Sequence, residues 1–260
     1  MEILKSDYVE GAQQARGIAV IIDVFRAFSV ACYCVANGAA SILPVGTIAG
    51  ALRLKQQLPG SILIGERHGR KLEGCDFGNS PTEIQGHDFS GRTIIHTTHA
   101  GTQGLVHATG ADQVLTGAFV NAVATADYIK SQTPERVTLV RMGWEAQTST
   151  DEDTLYADYL EQLLLDRPYD LAAAFDQLKR SPCTERFRDP DQPWSPLSDI
   201  DLCLQSDAFP FALKVVENAD RQLELKYFIV NDKDRRTTMD ISVRNNMLLS
   251  DSCHNSHYGT

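Results

Sequence analysis

The sequence predicts an α/β fold in which a largely parallel sheet is covered by helices. Over the first two-thirds of the 260 residues, short runs of branched apolar residues alternate with helix-like stretches, as in chains built from strand–helix–strand units. The apolar runs are continuous rather than alternating, which is typical of strands buried on both faces. We expect strands at residues 18–24, 42–45, 62–64, 93–97, 113–115 and 137–140.

The stretches between these strands predict helices. Gly38, Gly60 and Gly110 each follow such a stretch, at the position where a glycine commonly ends a helix. Ligands of such sheets bind beyond the carboxyl ends of the strands, so polar residues at those ends are the functional candidates. We expect helices at residues 27–37, 48–58, 102–107, 120–131 and 154–166.

The pattern changes after about Pro168, but no segment there has the composition of a free linker. We expect one domain over residues 1–230, in which a subdomain boundary can fall near residue 168. Residues 231–260 form a polar C-terminal tail, and its end, residues 250–260, is expected to be poorly ordered. Before the tail we expect a helix at residues 169–179, a polar connection at 180–196, a helix at 199–218 that breaks near Pro210, and a last strand at 223–230.

Composition places the chain among ordinary globular proteins, with 43% apolar and 22% charged residues. No run approaches the roughly 20 apolar residues that span a membrane, and acidic residues near the N-terminus argue against a secretory signal. We therefore expect a cytoplasmic protein without a membrane partner. The net charge of −10 argues against a nucleic-acid partner, but a locally positive pocket can still take a small anionic substrate.

The six cysteines are expected to be buried, reduced thiols. They form no C-x-x-C pair, which disfavours a zinc site.

The first candidate site lies at the end of the strand at residues 18–24, where Asp23 is followed by Arg26. A carboxylate at this position can ligate a hard cation or act as a nucleophile, and the arginine can bind a phosphate or carboxylate group. The structural alternative is that Asp23 caps the following helix and pairs with Arg26.

The second candidate is the loop of residues 65–81. Glu66 and Arg67 leave the preceding strand at the same edge as Asp23, and the loop then supplies Asp76 and Asn79 among four glycines. Glycines let backbone N–H groups approach an anion closely, and a long polar loop after a buried strand is commonly functional. A solvated surface loop is the alternative.

Threonines and histidines follow the strand at residues 93–97. Thr97, Thr98 and Thr102 stand at the start of the next helix, where hydroxyls and N-terminal N–H groups suit an oxyanion. His96 and His99 form an H-x-x-H pair across this turn. That spacing is weak evidence for a metal site, so structural histidines are the favoured interpretation.

An acidic pair, Glu152 and Asp153, precedes the helix at residues 154–166. Taken alone, it is best explained by the favourable interaction of acids with a helix N-terminus. Together with the other strand-end residues it indicates phosphoryl transfer, which needs a cation, donors for the phosphoryl oxygens and a carboxylate.

These segments together resemble the 2-phosphosulfolactate phosphatase (ComB-like) family over roughly residues 18–210. The most specific part is the loop of residues 65–81, in which Gly-Glu-Arg-x-Gly is followed by Gly-x-Asp-x-Gly-Asn-Ser-Pro. The other matching stretches are residues 22–27, 36–39, 97–102, 121–122 and 152–153.

The resemblance implies a three-layer α/β/α fold and a Mg²⁺-dependent phosphatase. The implied substrate is 2-phosphosulfolactate, on the route to coenzyme M, or a related 2-hydroxy-acid phosphate. A homodimer is a common state for enzymes of this size. The implied catalytic candidates are Asp23, Glu66 and Asp76; the metal-ligand candidates are Asp23, Glu66, Glu152 and Asp153; and the substrate-binding candidates are Arg26, Arg67, Asn79, Thr97, Thr98 and Thr102.

Two loops depart from the pattern of the family. His99-Ala100 stands where the family usually has Asn-Gly, and Trp144 and Glu145 occupy a loop that usually reads Ala-Gly-x-x-Gly. Both loops are expected near the pocket, so they bear on the substrate. They also leave open a catalytically lapsed member that binds an anionic metabolite.

Other phosphatase classes fit poorly, because Phe25 occupies the second acidic position of a D-x-D motif. None of the cysteines is followed six residues later by arginine, and a Walker-type nucleotide loop is absent. A purely structural protein would leave the polar residues at the strand ends unexplained.

Overall fold

The computed structural model describes residues 1–231 and 234–237, in which a mixed sheet of eleven strands is packed against helices. None of the described helices is long and apolar enough to cross a membrane. The strands are β1 (Glu2–Asp7), β2 (Ile18–Ile22), β3 (Ser41–Pro44), β4 (Ile62–Arg67), β5 (Arg70–Lys71), β6 (Thr93–Thr97), β7 (Gln113–Gly117), β8 (Arg136–Arg141), β9 (Ala212–Glu217), β10 (Leu223–Asn231) and β11 (Asp234–Thr237). The helices are α1 (Tyr8–Gln14), α2 (Ala27–Ala36), α3 (Ile48–Gln57), α4 (Pro81–Ile84), α5 (Gly101–His107), α6 (Ala122–Gln132), α7 (Asp151–Leu164), α8 (Leu171–Leu178) and α9 (Ser198–Cys203), with 3-10 turns at Phe119–Asn121 and Pro182–Phe187.

Both faces of the sheet are buried. Along β2, Ala19 and Ile21 pack into one apolar core, while Val20 and Ile22 pack into another on the opposite face. Helices α2 and α5 contribute to the first core, and helices α6 and α7 to the second. The three-layer α/β/α fold is therefore confirmed, and the continuous apolar strands of the sequence are explained by burial on two sides.

The sheet consists of two parallel blocks joined by an antiparallel hairpin. Strands β1, β8, β2 and β7 form one parallel block, and β3, β6 and β4 form the other. Strands β9 and β10 pair with each other and lie between the blocks, antiparallel to both neighbours. The largely parallel sheet was predicted, whereas the hairpin between the blocks was not.

The hairpin makes the two parallel blocks run in opposite senses, yet the loops at their carboxyl ends meet. The backbone N–H of Gly101, which follows β6, donates to Oδ2 of Asp23, which follows β2, at 2.8 Å. Each strand of a sheet is rotated by roughly 20–25° against its neighbour. Five such steps separate β2 from β6, so the accumulated twist turns the ends of the second block toward those of the first.

Helix α2 is buried on all sides. Nine of its ten residues are buried, and they pack against Ile21, Ile64 and Ile94 of three different strands. A helix that is apolar all round belongs inside a core, and this one holds the first turn after Asp23 in place. Cys32 and Cys34 lie on it as free thiols whose pKa values are raised by burial, as predicted for structural cysteines.

Several parts of the chain differ from the sequence-based expectation. The helix expected at residues 199–218 is wrong, because only Ser198–Cys203 is helical and Ala212–Glu217 is strand β9. In β9, Ala212 packs into one core and Leu213 into the other, a period of two that the short apolar run did not reveal. Strand β1 and helix α1 were not predicted.

The last strand was predicted and is present as β10. The poor order expected for residues 250–260 concerns positions outside the described residues. The division into one domain and a polar tail stays a prediction.

Candidate active site

A narrow cavity lies where the loops that follow β2, β4, β6 and β8 meet. It contains the carboxylates of Asp23 and Glu66, and the Arg186 guanidinium borders it. Its volume is about 30 Å³, which is room for about two water molecules. Any larger ligand therefore requires side chains at the rim to move.

Asp23 lies at the centre of this arrangement, nearly buried at 7% exposure. Its Oδ1 accepts a hydrogen bond from the Ala27 N–H at 3.1 Å, and its Oδ2 accepts one from the Gly101 N–H at 2.8 Å. Burial, followed by the charges of Glu66 and Glu152, raises the pKa of Asp23 to about 6. The capping role considered from the sequence is thus present, but it leaves a carboxyl group that can exchange protons near neutral pH.

Glu66 is held in the same cavity from the other parallel block. Its Oε2 accepts from the Gly69 N–H at 2.8 Å and its Oε1 from the His99 N–H at 2.7 Å. These bonds tie the loop after β4 to the loop after β6. The prediction that Asp23 and Glu66 converge at one place is therefore confirmed by the geometry.

Glu152 and Asp153, in the first turn of α7, are buried behind Asp23. Asp153 accepts from the Val24 N–H at 2.9 Å and from the Gly143 N–H at 2.8 Å, so it holds the loops after β2 and β8 together. Burial and the charges of Glu152 and Asp23 raise its pKa well above the ordinary value. Its contacts position the loops.

Glu152 is different, because its Oε2 is buried without a hydrogen-bond partner among the described residues. Burial raises its pKa, and the charge of Arg186 opposes that rise. It lines a second cavity of about 270 Å³, and Trp144 and Arg186 stand between this cavity and the first. An orphaned buried carboxylate oxygen calls for a cation or a proton.

Arg186 is a cavity residue that the sequence analysis missed. Its guanidinium packs 4.4 Å from the ring centre of Trp144, donates to the Phe25 carbonyl at 2.9 Å and leaves a buried Nε without a partner among the described residues. Burial and the charge of Arg26 lower its pKa, while the charges of Asp23, Glu66 and Glu152 raise it. All three carboxylates therefore act on one guanidinium.

Arg186 could not be found from the sequence because it lies in the 3-10 turn Pro182–Phe187, within the segment interpreted as a polar connection. That segment has no regular apolar period to orient its side chains. The only feature of the sequence that could have indicated Arg186 is the length of this polar connection, since long polar loops are commonly functional.

Arg26, a predicted substrate-binding residue, borders the cavity but is held from behind. Its guanidinium forms a 2.6 Å ion pair with Asp199, and both side chains are at most 2% exposed. It also donates to the carbonyls of Trp194 and Gly69. Most of its donors are therefore committed to fixing the loops around the cavity.

Asp76 lies outside the cavity on an exposed loop. Its Oδ2 accepts from Lys55 Nζ at 2.6 Å and from the Leu63 N–H at 2.7 Å. Partial burial acts in the opposite direction, but these two bonds and the lysine charges lower its pKa. These two hydrogen bonds fix the loop to β4 and to Lys55, and they keep Asp76 apart from Asp23 and Glu66.

The threonines and Arg67 are also not among the residues that line the cavity. The Thr98 hydroxyl accepts from the Thr102 N–H at 3.0 Å, and the Thr102 hydroxyl accepts from the Thr98 N–H at 2.9 Å. Arg67 donates to the Thr97 hydroxyl at 3.1 Å and faces a neighbouring cavity. These side chains shape the turn into α5, and His99 and Ala100 of that turn line the cavity instead.

Asn79 lines the cavity, as predicted for a substrate-binding residue, and His96 stands behind it. One ring nitrogen of His96 lies 3.2 Å from Oδ1 of Asn79, which orients the amide. His96 is 2% exposed, and burial lowers its pKa to about 4. It is therefore a neutral structural histidine, as the sequence favoured.

The burial of His96 predicts that this histidine makes its own contribution to the pH dependence of stability. An unfolded histidine binds a proton below a pH of about 6.5, whereas the folded one does so only below about 4, so stability is lost as the pH falls through this window. Relative to His96→Gln, which does not titrate, the wild type should lose about 2 kcal/mol of unfolding free energy between pH 7 and pH 5. Urea unfolding at a series of pH values measures this difference, and a difference independent of pH would contradict it.

The residues around the cavity fit a hard divalent cation. The carboxylates of Glu66, in the first cavity, and Glu152, in the second, supply oxygen ligands of the kind that Mg²⁺ prefers. The Oε2 of Glu152 has no partner among the described residues, and burial together with the charges of Glu66 and Glu152 raises the pKa of Asp23. A bound cation would satisfy the first and offset the second.

Comparison with known proteins points to one family. The sequence model of the 2-phosphosulpholactate phosphatase family matches residues 4–218, so the chain belongs to this family. A protein of Caldicellulosiruptor saccharolyticus is 39% identical over 57% of this chain and 62% of its own length. A protein of Bacillus subtilis is 30% identical over 78% of this chain and 89% of its own length. A protein of Carboxydothermus hydrogenoformans is 39% identical over 62% of this chain and 66% of its own length. Each is named "Probable 2-phosphosulfolactate phosphatase", and the chain spans slightly less than two thirds of the first and third.

Proposed function

We propose that this member of the 2-phosphosulfolactate phosphatase family is a Mg²⁺-dependent phosphatase. Its substrate would be 2-phosphosulfolactate or a related 2-hydroxy-acid phosphate, and its products the hydroxy acid and phosphate. The observation that carries the proposal is the meeting of Asp23, Glu66 and Arg186 in one cavity formed by loops from both parallel blocks. The names of the relatives support the substrate class.

Glu66 and Glu152 are the residues that would hold Mg²⁺ once Trp144 and Arg186, which separate their two cavities, have moved. Glu152 has a buried oxygen without a partner among the described side chains, and each carboxylate oxygen of Glu66 has a second lone pair beside the N–H that it already accepts. When bound, the ion would neutralise charge on the phosphoryl oxygens and lower the barrier to attack by water.

We assign Asp23 as the general base that accepts a proton from the attacking water. A general base works best when its pKa lies near the working pH, and burial places the pKa of Asp23 at about 6. The N–H groups of Ala27 and Gly101 fix the orientation of the carboxylate, so it needs no reorganisation to accept a proton.

We assign Arg186 to bind the phosphoryl oxygens, since it lines the cavity and its buried Nε lacks a partner among the described residues. The cation–π contact with Trp144 restrains the guanidinium at the cavity wall. Because the empty cavity holds only about two waters, substrate entry would move Trp144 and Arg186 and join the two cavities they separate.

The direct test is phosphate release by the purified chain from 2-phosphosulfolactate and 2-phospholactate. We expect turnover with Mg²⁺ and none after removal of divalent ions by a chelator. Tight binding of sulfolactate without phosphate release under any divalent ion would instead support the lapsed, metabolite-binding member. A cytoplasmic location, a homodimer and a place on the route to coenzyme M are further expectations of this proposal.

Replacing Arg186 with glutamine should raise KM for the phosphate ester by roughly 10- to 100-fold, because a charge-assisted hydrogen bond contributes about 1.5–3 kcal/mol. The matched control is Arg188→Gln, two residues on, where the guanidinium binds Thr184 and lies outside both cavities. Steady-state kinetics of the two variants test the assignment. Equal KM values for both would contradict the role of Arg186.

A further inference from the structure

Three side chains at the rim of the cavity have no part in the proposed hydrolysis. His68 follows β4, His99 follows β6 and Glu145 follows β8, so three separate loops bring them together. One ring nitrogen from each histidine and a carboxylate oxygen of Glu145 all lie within 4.8 Å of one another. The Nδ1 of His68 is 2.5 Å from Oε1 of Glu145, and the two imidazole rings meet edge to face at 4.8 Å.

We propose that His68, His99 and Glu145 bind a first-row transition metal ion such as Zn²⁺. Two imidazoles and one carboxylate form a ligand set that suits zinc, iron and similar ions rather than Mg²⁺, which prefers oxygen ligands. Small rotations of the three side chains bring their donor atoms to the separations of a coordination sphere. The site is distinct from the ion assigned to Glu66 and Glu152.

A second observation points to a ligand at the same place. The Nδ1 of His99 is buried and has no hydrogen-bond partner in the part of the chain that the structure describes. Buried ring nitrogens are normally satisfied by a donor, an acceptor or a metal. His99 therefore has a buried ring nitrogen that the described residues leave without a hydrogen bond.

The surrounding backbone and exposure are also those of a ligand site. His68 and Glu145 adopt positive φ angles of 54° and 57° although neither is glycine, and such conformations concentrate at ligand sites. The His68 side chain is 67% exposed, which gives an ion a path from solvent. Three protein ligands would leave a bound ion with at least one position for water or substrate.

The consequence for catalysis rests on the proposed function, whereas metal binding does not. A cation at His68, His99 and Glu145 would place positive charge at the mouth of the cavity that contains Asp23 and Glu66. An anionic phosphate ester entering there would meet an attractive field and an open coordination position.

The test is a titration of the metal-free full-length protein with Co²⁺, followed by visible absorption and calorimetry. We expect one ion bound per chain, with the ligand-field bands of a nitrogen-coordinated Co²⁺ ion. His68→Ala combined with His99→Ala should weaken binding by about a hundredfold or more, since the loss of residues that merely orient ligands already weakens binding 10- to 100-fold. Thermal unfolding of the variant shows whether its fold is retained, and His68→Ala alone, at an exposed position, should give the same direction of change.

Two controls separate this site from others in the chain. The variant His254→Ala with His257→Ala removes histidines of the C-terminal sequence and should bind Co²⁺ as the wild type does. Asp23→Asn should also retain the bands, even if it abolishes phosphate release. Undiminished binding by the His68/His99 variant, or no cobalt bands in the wild type, would overturn the proposal and leave His68 and Glu145 as an ion pair. Because phosphate release with Mg²⁺ is measured separately, failure of one proposal does not decide the other.

Discussion

Replacing Asp23 with asparagine is expected to lower kcat for the phosphate ester by roughly 10³-fold, within the range that general acid–base catalysis contributes. Asparagine is close to aspartate in shape but cannot accept the proton of an attacking water. Because Glu66 and Glu152 are assigned to the metal, the Mg²⁺ affinity of Asp23→Asn should change little. In contrast, Glu66→Gln should weaken Mg²⁺ binding as well as activity.

The matched control for Asp23→Asn is Asp76→Asn. Both residues fall in motifs of the family pattern, but Asp76 binds Lys55 and the Leu63 N–H on an exposed loop away from the cavity. The kcat of the Asp76→Asn variant should stay within a few-fold of that of the wild type. Phosphate-release kinetics and magnesium calorimetry on folded protein decide the matter. Undiminished turnover by Asp23→Asn, or an equal loss in Asp76→Asn, would contradict the assigned roles.

The second large effect is expected on stability, from Asp199→Ala. Asp199 is fully buried and accepts hydrogen bonds from Arg26 at 2.6 Å, from the Ser80 hydroxyl at 2.7 Å and from the Thr82 N–H at 3.0 Å. Removing one partner of a buried ion pair leaves the other charge uncompensated and typically costs about 3–5 kcal/mol. Urea unfolding at neutral pH should show a loss of this size.

An exposed aspartate on the same helix as Asp199 provides the control. Asp201 is exposed and lies 3.5 Å from Lys179, and exposed pairs contribute about 0–1 kcal/mol. Asp201→Ala should therefore leave the unfolding free energy nearly unchanged. If the two alanine variants lost equal stability, the Arg26–Asp199 pair would not be the element that holds these loops together.

The sequence predicted the parallel blocks because their physical cause is local. Continuous apolar runs such as Ile18–Ile22 report burial on both faces, and each strand ends where polar residues begin. We expected Asp23 and Glu66 to converge because the carboxyl ends of parallel strands form the ligand side of a sheet, whereas β2 and β4 belong to blocks that run in opposite senses. That expectation held even though the β9–β10 hairpin reverses one block, because twist rather than strand direction alone decides where the ends meet.

Other features depended on packing that the sequence does not express. The run Ala212–Glu217 is too short for its period to separate strand from helix, and its partner β10 lies on the far side of a turn. Asp76 shares a motif with Asn79, but Lys55 draws it away from the cavity. Arg186 comes from an irregular segment, so only the folded chain shows that it faces the same carboxylates.

The most direct test of the account is a crystal structure of the wild-type protein soaked with Mg²⁺ and phosphate. We expect Mg²⁺ bound at Glu66 and Glu152, and phosphate bound between the Arg186 guanidinium and Asp23. Trp144 should be displaced so that phosphate can enter. Magnesium and phosphate bound instead at Asp76 and Arg67, with the cavity around Asp23 unchanged, would contradict it.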